Sequence, residues 1–181
     1  MRKQSGLTLL ELLISVAIIS ILITVVAPNV REMLITNRVI SQINELSATI
    51  QYARSVAVNE RTTTIVCPTS NFSVCSNNWS EAKMVFNDLN GNGSRDSDEE
   101  ILAGTEINEN ILITTGPAQE IRFNQSGATA SPATLKVCHN SNEAKFARAV
   151  VISLQGRVKT SRDTDNDGIY EDNAGTALSC P

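Results

Sequence analysis

From Leu12 to Ala27 the chain carries no charged side chain, and from Leu7 to Ala27 the only charge is Glu11. About twenty such residues, wound as a helix at roughly 1.5 Å each, match the roughly 30 Å hydrocarbon core of a bilayer. The sequence therefore predicts a membrane-inserted segment. Arg2 and Lys3 precede the run and little basic charge follows it closely. That asymmetry sets the N-terminus on the cytoplasmic side and the rest of the chain outside. An ordinary secretory signal has a shorter apolar core, closed by a small-residue cleavage site. Here the small residue, Gly6, stands before the run. A cut after Gly6 would remove only the basic lead and leave the apolar helix as the new N-terminus.

The stretch Lys3-Gln4-Ser5-Gly6-Leu7-Thr8-Leu9-Leu10-Glu11 resembles the class III leader and cleavage site of type IV pilins and type II secretion pseudopilins. The resemblance implies that a prepilin peptidase cuts after Gly6 and methylates Leu7. Leu7 stands where that family most often has Phe. Glu11 matches the family's acidic residue, five places into the mature chain, and Pro28 its helix-kinking proline. A carboxylate in hydrocarbon costs about 2.5 kcal/mol or more, so Glu11 needs a partner. The free amino group of Leu7 on a neighbouring subunit would serve. It would be met only when a subunit docks one register along a filament.

Beyond Pro28 the sequence stays free of Gly and Pro to Glu60, and Val39, Ile43, Leu46, Ile50, Ala53 and Ala57 recur at spacings of four and three. That is one apolar stripe on a helix. A helix from Leu7 to about Val58 would be roughly 78 Å long. Its first half suits lipid or a filament core, and its second half suits a sheet. From Arg61 the period changes. Strands are expected over 62–67, 83–87, 100–103, 111–115, 120–124, 134–139 and 147–154, with a short one over 157–160. Between them lie the turn formers Asn, Gly, Ser, Asp and Pro. Many short strands with turn signals predict an antiparallel sandwich or partly open barrel. The expected organisation is a leader over 1–6, a transmembrane or filament-core helix over 7–28, an amphipathic helix over 29–60 and a β-rich periplasmic head over 61–181.

This downstream part is also similar to the GspH/FimT group of minor pilins and pseudopilins. The carriers are Ala53-Arg54-Ser55, Trp79, Phe86-Asn87-Asp88 with Asn90-Gly91-Asn92-Gly93, Phe123, Gly127, and Ile152-Ser153 leading to Gly156-Arg157-Val158. The resemblance implies an α+β, pilin-like fold, with a long N-terminal helix packed on an antiparallel β-rich head.

The four cysteines, Cys67, Cys75, Cys138 and Cys180, all fall in the part placed outside, where disulfides form. Three connectivities are open. A short loop, Cys67–Cys75, with a tail staple, Cys138–Cys180, is the simplest closure. No Cys-x-x-Cys occurs to favour zinc. The one histidine, His139, has no Ser or Cys nucleophile at a recognisable spacing, so no enzymatic activity is expected.

Two stretches read as calcium loops. Asp88, Asn90 and Asn92, with Asp96 and Glu99, fit the twelve-residue EF-hand spacing, but between strands rather than helices. There the plainer reading is a turn. Asp163, Asp165 and Asp167 begin a second loop, with Glu171 and Asp172 close behind. For this one, calcium and a solvated hairpin tip compete evenly. Just upstream, Gly156-Arg157-Val158-Lys159 is similar to the Gly-Arg-x-Arg motif that binds DNA in some pilus members. Arg157 and Lys159 would share one face of a strand, and Arg162 would join them. Phosphate contact needs no more than such a cluster. The acids downstream oppose it, a net charge of −4 excludes a generic nucleic-acid binder, and 4% aromatics exclude base-stacking platforms. A hairpin of mixed, solvated charge is the plainer reading of this stretch.

The expected function is that of a minor pilin of a type IV pilus, assembling near the filament tip, with DNA uptake as a further role. The alternative is the minor pseudopilin H of the type II protein secretion system. The expected partners are other pilins or pseudopilins through the N-terminal helix, the prepilin peptidase, the inner-membrane assembly platform and double-stranded DNA. The expected location is the inner membrane, crossed once, and then the filament.

Overall fold

The computed structural model describes residues 8–108, 110–130 and 132–181. The chain divides into two units, residues 1–37 and 38–181. A single helical run, Leu9–Glu60, crosses that division, and its most apolar window has a mean hydropathy of 2.8. It comprises α1 (Leu9–Ile21), a π-helical stretch (Leu22–Val26) and α2 (Ala27–Glu60).

The first unit is helix alone among its described residues, and residues 8–34 are all exposed. Thr8 caps α1, its side chain accepting from the Glu11 backbone N–H at 3.2 Å. The polar side chains inside the apolar run turn back onto their own helix. Ser15 Oγ donates to the Glu11 carbonyl, Ser20 Oγ to Val16 and Thr24 Oγ1 to Ser20, at 2.7–2.8 Å. In lipid no water would satisfy those hydroxyls, so the helix does it itself. The π-helical stretch ends two residues before Pro28. Proline has no N–H, and its ring crowds the carbonyl four residues back, here that of Thr24. One wider turn, in which Ala27 N–H donates to the Leu22 carbonyl, absorbs that conflict without ending the helix.

In the second unit the sheets are built from β1 (Thr63–Thr69), β2 (Ala82–Asp88), β3 (Ile101–Gly104), β4 (Leu112–Thr115), β5 (Ile121–Phe123), β6 (Ala133–His139), β7 (Arg148–Ile152) and β8 (Val158–Thr160). They form two four-stranded sheets, ordered β3-β2-β1-β5 and β4-β6-β7-β8, with antiparallel neighbours throughout. Each expected strand is present within two residues of its ends. β1 runs past Cys67 because Pro68 turns away from β2. The Pro68 carbonyl accepts from Ser76 N–H, and the side that would carry its missing N–H is the same one.

Alternation then sorts the side chains. Val66, Val85, Ile121 and Phe123 from one sheet, and Leu135, Val137, Val150 and Ile152 from the other, share a core with all six residues of the α2 stripe. The opposite face of the first sheet carries Ile65, Cys67, Met84 and Phe86, and that of the second carries Cys138 and Ala149. The disulfides are Cys67–Cys75 and Cys138–Cys180, and each staples one of these outer faces. Trp79 is buried within the shared core, with Nε1 donating to the Pro117 carbonyl at 2.8 Å.

One junction ties α2 to both sheets' turns. Arg54 Nε donates to the Gly127 carbonyl at 2.9 Å, and its Nη2 to the Gln155 carbonyl at 3.3 Å. Gly156 sits there with φ +70°, and a Cβ on it would lie 1.9 Å from the Gly127 oxygen. Both the backbone conformation and the space require glycine. Gly156→Ala is expected to destabilise the protein by at least ~1–3 kcal/mol, through strain at that φ and the displaced turn. Thermal or denaturant unfolding measures this, with Gly175→Ala as a comparison at positive φ in open space.

Candidate functional site

Four regions carry the expected functional residues. Gly6 and Leu7, expected to be cut and methylated, lie outside the described residues. Glu11 is described. It stands in the first turn of α1 with its side chain exposed, and among the described residues no cation pairs with it. Pro28 is the second residue of α2.

Arg157 and Lys159 flank Val158 at the start of β8, and both line a groove of about 550 Å³. Opposite them on α2 stand Gln51, Arg54, Ser55 and Asn59. Arg54 was not singled out for charge in the sequence, since it sits a hundred residues away. Its guanidinium belongs to this groove because its Nε and Nη2 are tied to the turns at Gly127 and Gln155. Gly156 of the Gly-Arg-Val-Lys stretch therefore has a packing role as well as a place in the motif. Arg162 lies elsewhere. Its backbone pairs with Glu171, with Glu171 N–H donating to the Arg162 carbonyl at 2.8 Å. It lines a second groove of about 710 Å³, together with Glu171 and Asp172. Lys159 reaches both grooves. The structure thus brings together Arg54, Arg157 and Lys159 in one groove, and Lys159 with Arg162 among acids in the other.

The second acidic loop converges. One carboxylate oxygen from each of Asp163, Asp165, Asp167 and Glu171 lies within 4.8 Å of the others. Glu171 is buried and accepts from Thr164 N–H and Oγ1, both at 2.7 Å. Asp163 Oδ2 accepts from Gly168 N–H at 3.1 Å, while its Oδ1 is buried with no hydrogen-bond partner. Clustered carboxylates repel one another, and a hard divalent cation with oxygen ligands is the group that offsets this. Asp172 does not join them. Its Oδ1 accepts from Ala174 and Thr176 N–H at 2.8 and 3.0 Å, and so holds the next turn.

The first acidic loop is arranged differently. Asp88 accepts from Gly91 and Gly93 N–H at 2.8 and 3.0 Å, and Glu99 from Leu89 and Asp96 N–H at 2.7 and 3.1 Å. Asn90 and Asn92 both donate their amides to Asp96. Arg122 brings its own positive charge to within 3.9 Å of Asp88 and packs against Gly93. The oxygens that would bind an ion are spent on closing a turn. His139 is likewise engaged locally, its Nδ1 accepting from Ser141 N–H at 3.1 Å and its ring meeting Phe146 edge-on.

Comparison with known proteins accounts for this architecture. The family model described as Type II transport protein GspH matches residues 42–156, and that of the prokaryotic N-terminal methylation motif matches residues 1–27. No curated protein matches the chain. Among solved structures it is similar to the type IV minor pilin FimU of Pseudomonas aeruginosa. The TM-score is 0.59 and the identity 20%, over 80% of this chain and 96% of that one. It is also similar to the minor pseudopilin EpsH from the type II secretion system of Vibrio cholerae. There the TM-score is 0.52 and the identity 10%, over 69% of this chain and 94% of that one. At these identities the likeness is one of fold, a long helix packed on antiparallel sheets. The GspH model spans well over half of the sequence and covers the α2 stripe from Ile43, the strands β1 to β7 and the Arg54 junction, so the chain belongs to the GspH family of pilin-like proteins.

Proposed function

We propose that this protein is a minor subunit of a type IV pilus, held in the inner membrane with its head in the periplasm until it enters the filament, near the tip, through its N-terminal helix. The observation that carries this reading is the continuous Leu9–Glu60 helix, with an exposed apolar half and internally satisfied hydroxyls. The prepilin peptidase would cut after Gly6 and methylate Leu7, and the inner-membrane assembly platform would then take up the mature chain. Glu11 would pair with the new amino terminus of the neighbouring pilin. The likeness to FimU, over more of the chain and at higher identity than that to EpsH, supports the pilus. The EpsH likeness supports a second reading, a minor pseudopilin of the type II secretion system. Replacing Glu11 by Ala is expected to leave the protein in the membrane fraction and deplete it from sheared filaments. Equal recovery of wild type and variant in filaments would sink the pairing role. Loss of secretion with intact pili would favour the second reading.

The groove holding Arg54, Arg157 and Lys159 supports a role in DNA uptake. Three phosphate contacts would weaken binding of double-stranded DNA roughly 40-fold between about 50 and 200 mM salt. Arg157→Ala with Lys159→Ala should abolish that binding, as a mobility-shift titration of the detergent-solubilised chain would reveal. No binding at low salt ends the DNA reading.

The unpaired Asp163 Oδ1 supports calcium at Asp163, Asp165, Asp167 and Glu171. Calcium at about a hundred times its dissociation constant should stabilise the folded chain by ~2.7 kcal/mol. Chelation should reverse the gain, and Asp165→Asn should reduce it. A melting temperature indifferent to calcium rules the site out.

A further inference from the structure

Lys83 presents a hydrogen-bonding deficit. It lies within β2 and is fully buried, yet among the described residues its ammonium donates one hydrogen bond, to Asn108 Oδ1 at 2.8 Å. An ammonium has three donors, and a buried charge without matching acceptors or a counter-charge is costly. Burial lowers Lys83 to a pKa of about 8, against the opposing pull of the Glu45 carboxylate on α2. About a tenth of the amine is then neutral at pH 7, which is the nucleophilic form and far more than an ordinary lysine offers.

The group that Lys83 meets is a carboxamide held in place. Asn108 is 6% exposed, and its Nδ2 donates to Thr114 Oγ1 of β4 at 2.6 Å. Thr114 is itself buried. The backbone on both sides is fixed. Thr105 N–H donates to the Lys83 carbonyl, Lys83 N–H donates to Thr105 Oγ1, and Asn108 N–H donates to the Ser80 carbonyl, at 2.9, 3.0 and 3.2 Å. Holding an amine against a carbonyl in a buried site makes a slow bimolecular reaction effectively unimolecular.

We propose that Lys83 and Asn108 condense into an intramolecular amide that covalently ties β2 to the segment leading into β4. Lys83 Nζ, as the neutral amine, attacks Asn108 Cγ. The Nζ–Cγ bond forms and the Cγ–Nδ2 bond breaks. Nδ2 departs as ammonia, taking the proton that Nζ gives up. No oxidant or further reactant enters. Thr114 Oγ1, which accepts from the leaving nitrogen, orients the carboxamide. The product removes the deficit, because a secondary amide is uncharged and has a single N–H to satisfy. It also joins a strand of one sheet to the approach of the other by a bond that, unlike the two disulfides, no thiol can open.

The test is a tryptic digest of the full-length chain, purified in detergent, reduced and denatured. Trypsin cuts after an unmodified lysine and not after one whose amine is acylated. The proposal expects no cleavage after Lys83, complete loss of the free peptide covering residues 84–95, and a branched species. That species joins residues 62–95 to 96–122 and is lighter than their sum by one ammonia. In Asn108→Ala the free 84–95 peptide should return in full. If wild type yields that peptide in full and the residues 96–122 at unmodified mass, the amide does not form. The wild-type digest decides this even if the variant fails to fold.

Discussion

The head depends on one stripe of six residues. The two sheets are separate ladders, and what makes them a single body is that both bury their inner faces against Val39, Ile43, Leu46, Ile50, Ala53 and Ala57 of α2. The stripe narrows from branched side chains to alanines toward its C-terminal end, where Arg54 and the turns at Gly127 and Gln155 close on the helix. Apolar burial supplies the attraction and has no direction of its own. The Arg54 hydrogen bonds and the crowded Gly156 fix the position of the turns at that end. Everything on the β8 side, including the groove with Arg157 and Lys159, takes its place from that arrangement.

Much of this was legible in the residues. The stripe could be read because a period of 3.6 persists through the amphipathic half of α2, and the strands because β-branched runs are bounded by turn formers. The staples followed from parsimony. What could not be read was pairing at long separation. Arg54 looks like an ordinary solvent-facing helix residue until its partners 73 and 101 positions away are known. Arg162 follows Lys159 closely in sequence, but its backbone pairs with Glu171, and that takes it to the acidic side. The two calcium-like loops have the same alphabet. They part company in that Arg122, a distant cation, reaches Asp88 in the first, while in the second four carboxylates converge and leave Asp163 Oδ1 without a partner. Lys83 shows the same limit. Its place in a β-rich run was evident, but not that its ammonium would be sealed in with an asparagine from another element.

The charges on the head sort themselves by what they can reach. Cations tied to backbone carbonyls, as Arg54 is, hold structure first and contribute field second. Arg148 is similar, lying 3.3 Å over the Tyr170 ring and donating to the Lys145 and Ala147 carbonyls. Burial lowers its pKa, although Tyr170 and Asp163 oppose the shift. It therefore links the acidic loop to the outer face that Cys138–Cys180 closes. The loop, the tail and the second sheet thus meet at Arg148 and Tyr170.

The back-bonded hydroxyls of the N-terminal helix have a consequence of their own. Ser15, Ser20 and Thr24 give the apolar run polar atoms, yet each donates its proton to its own backbone. Such a helix asks nothing specific of what surrounds it, and lipid and a neighbouring helix are nearly equivalent solvents for it. It can turn about its axis or slip along a neighbour without breaking a bond between chains. Glu11 is the one acidic group from Thr8 through Val30, and there is no basic one. If Glu11 pairs with a neighbour as proposed, it would be the latch on an otherwise frictionless rod.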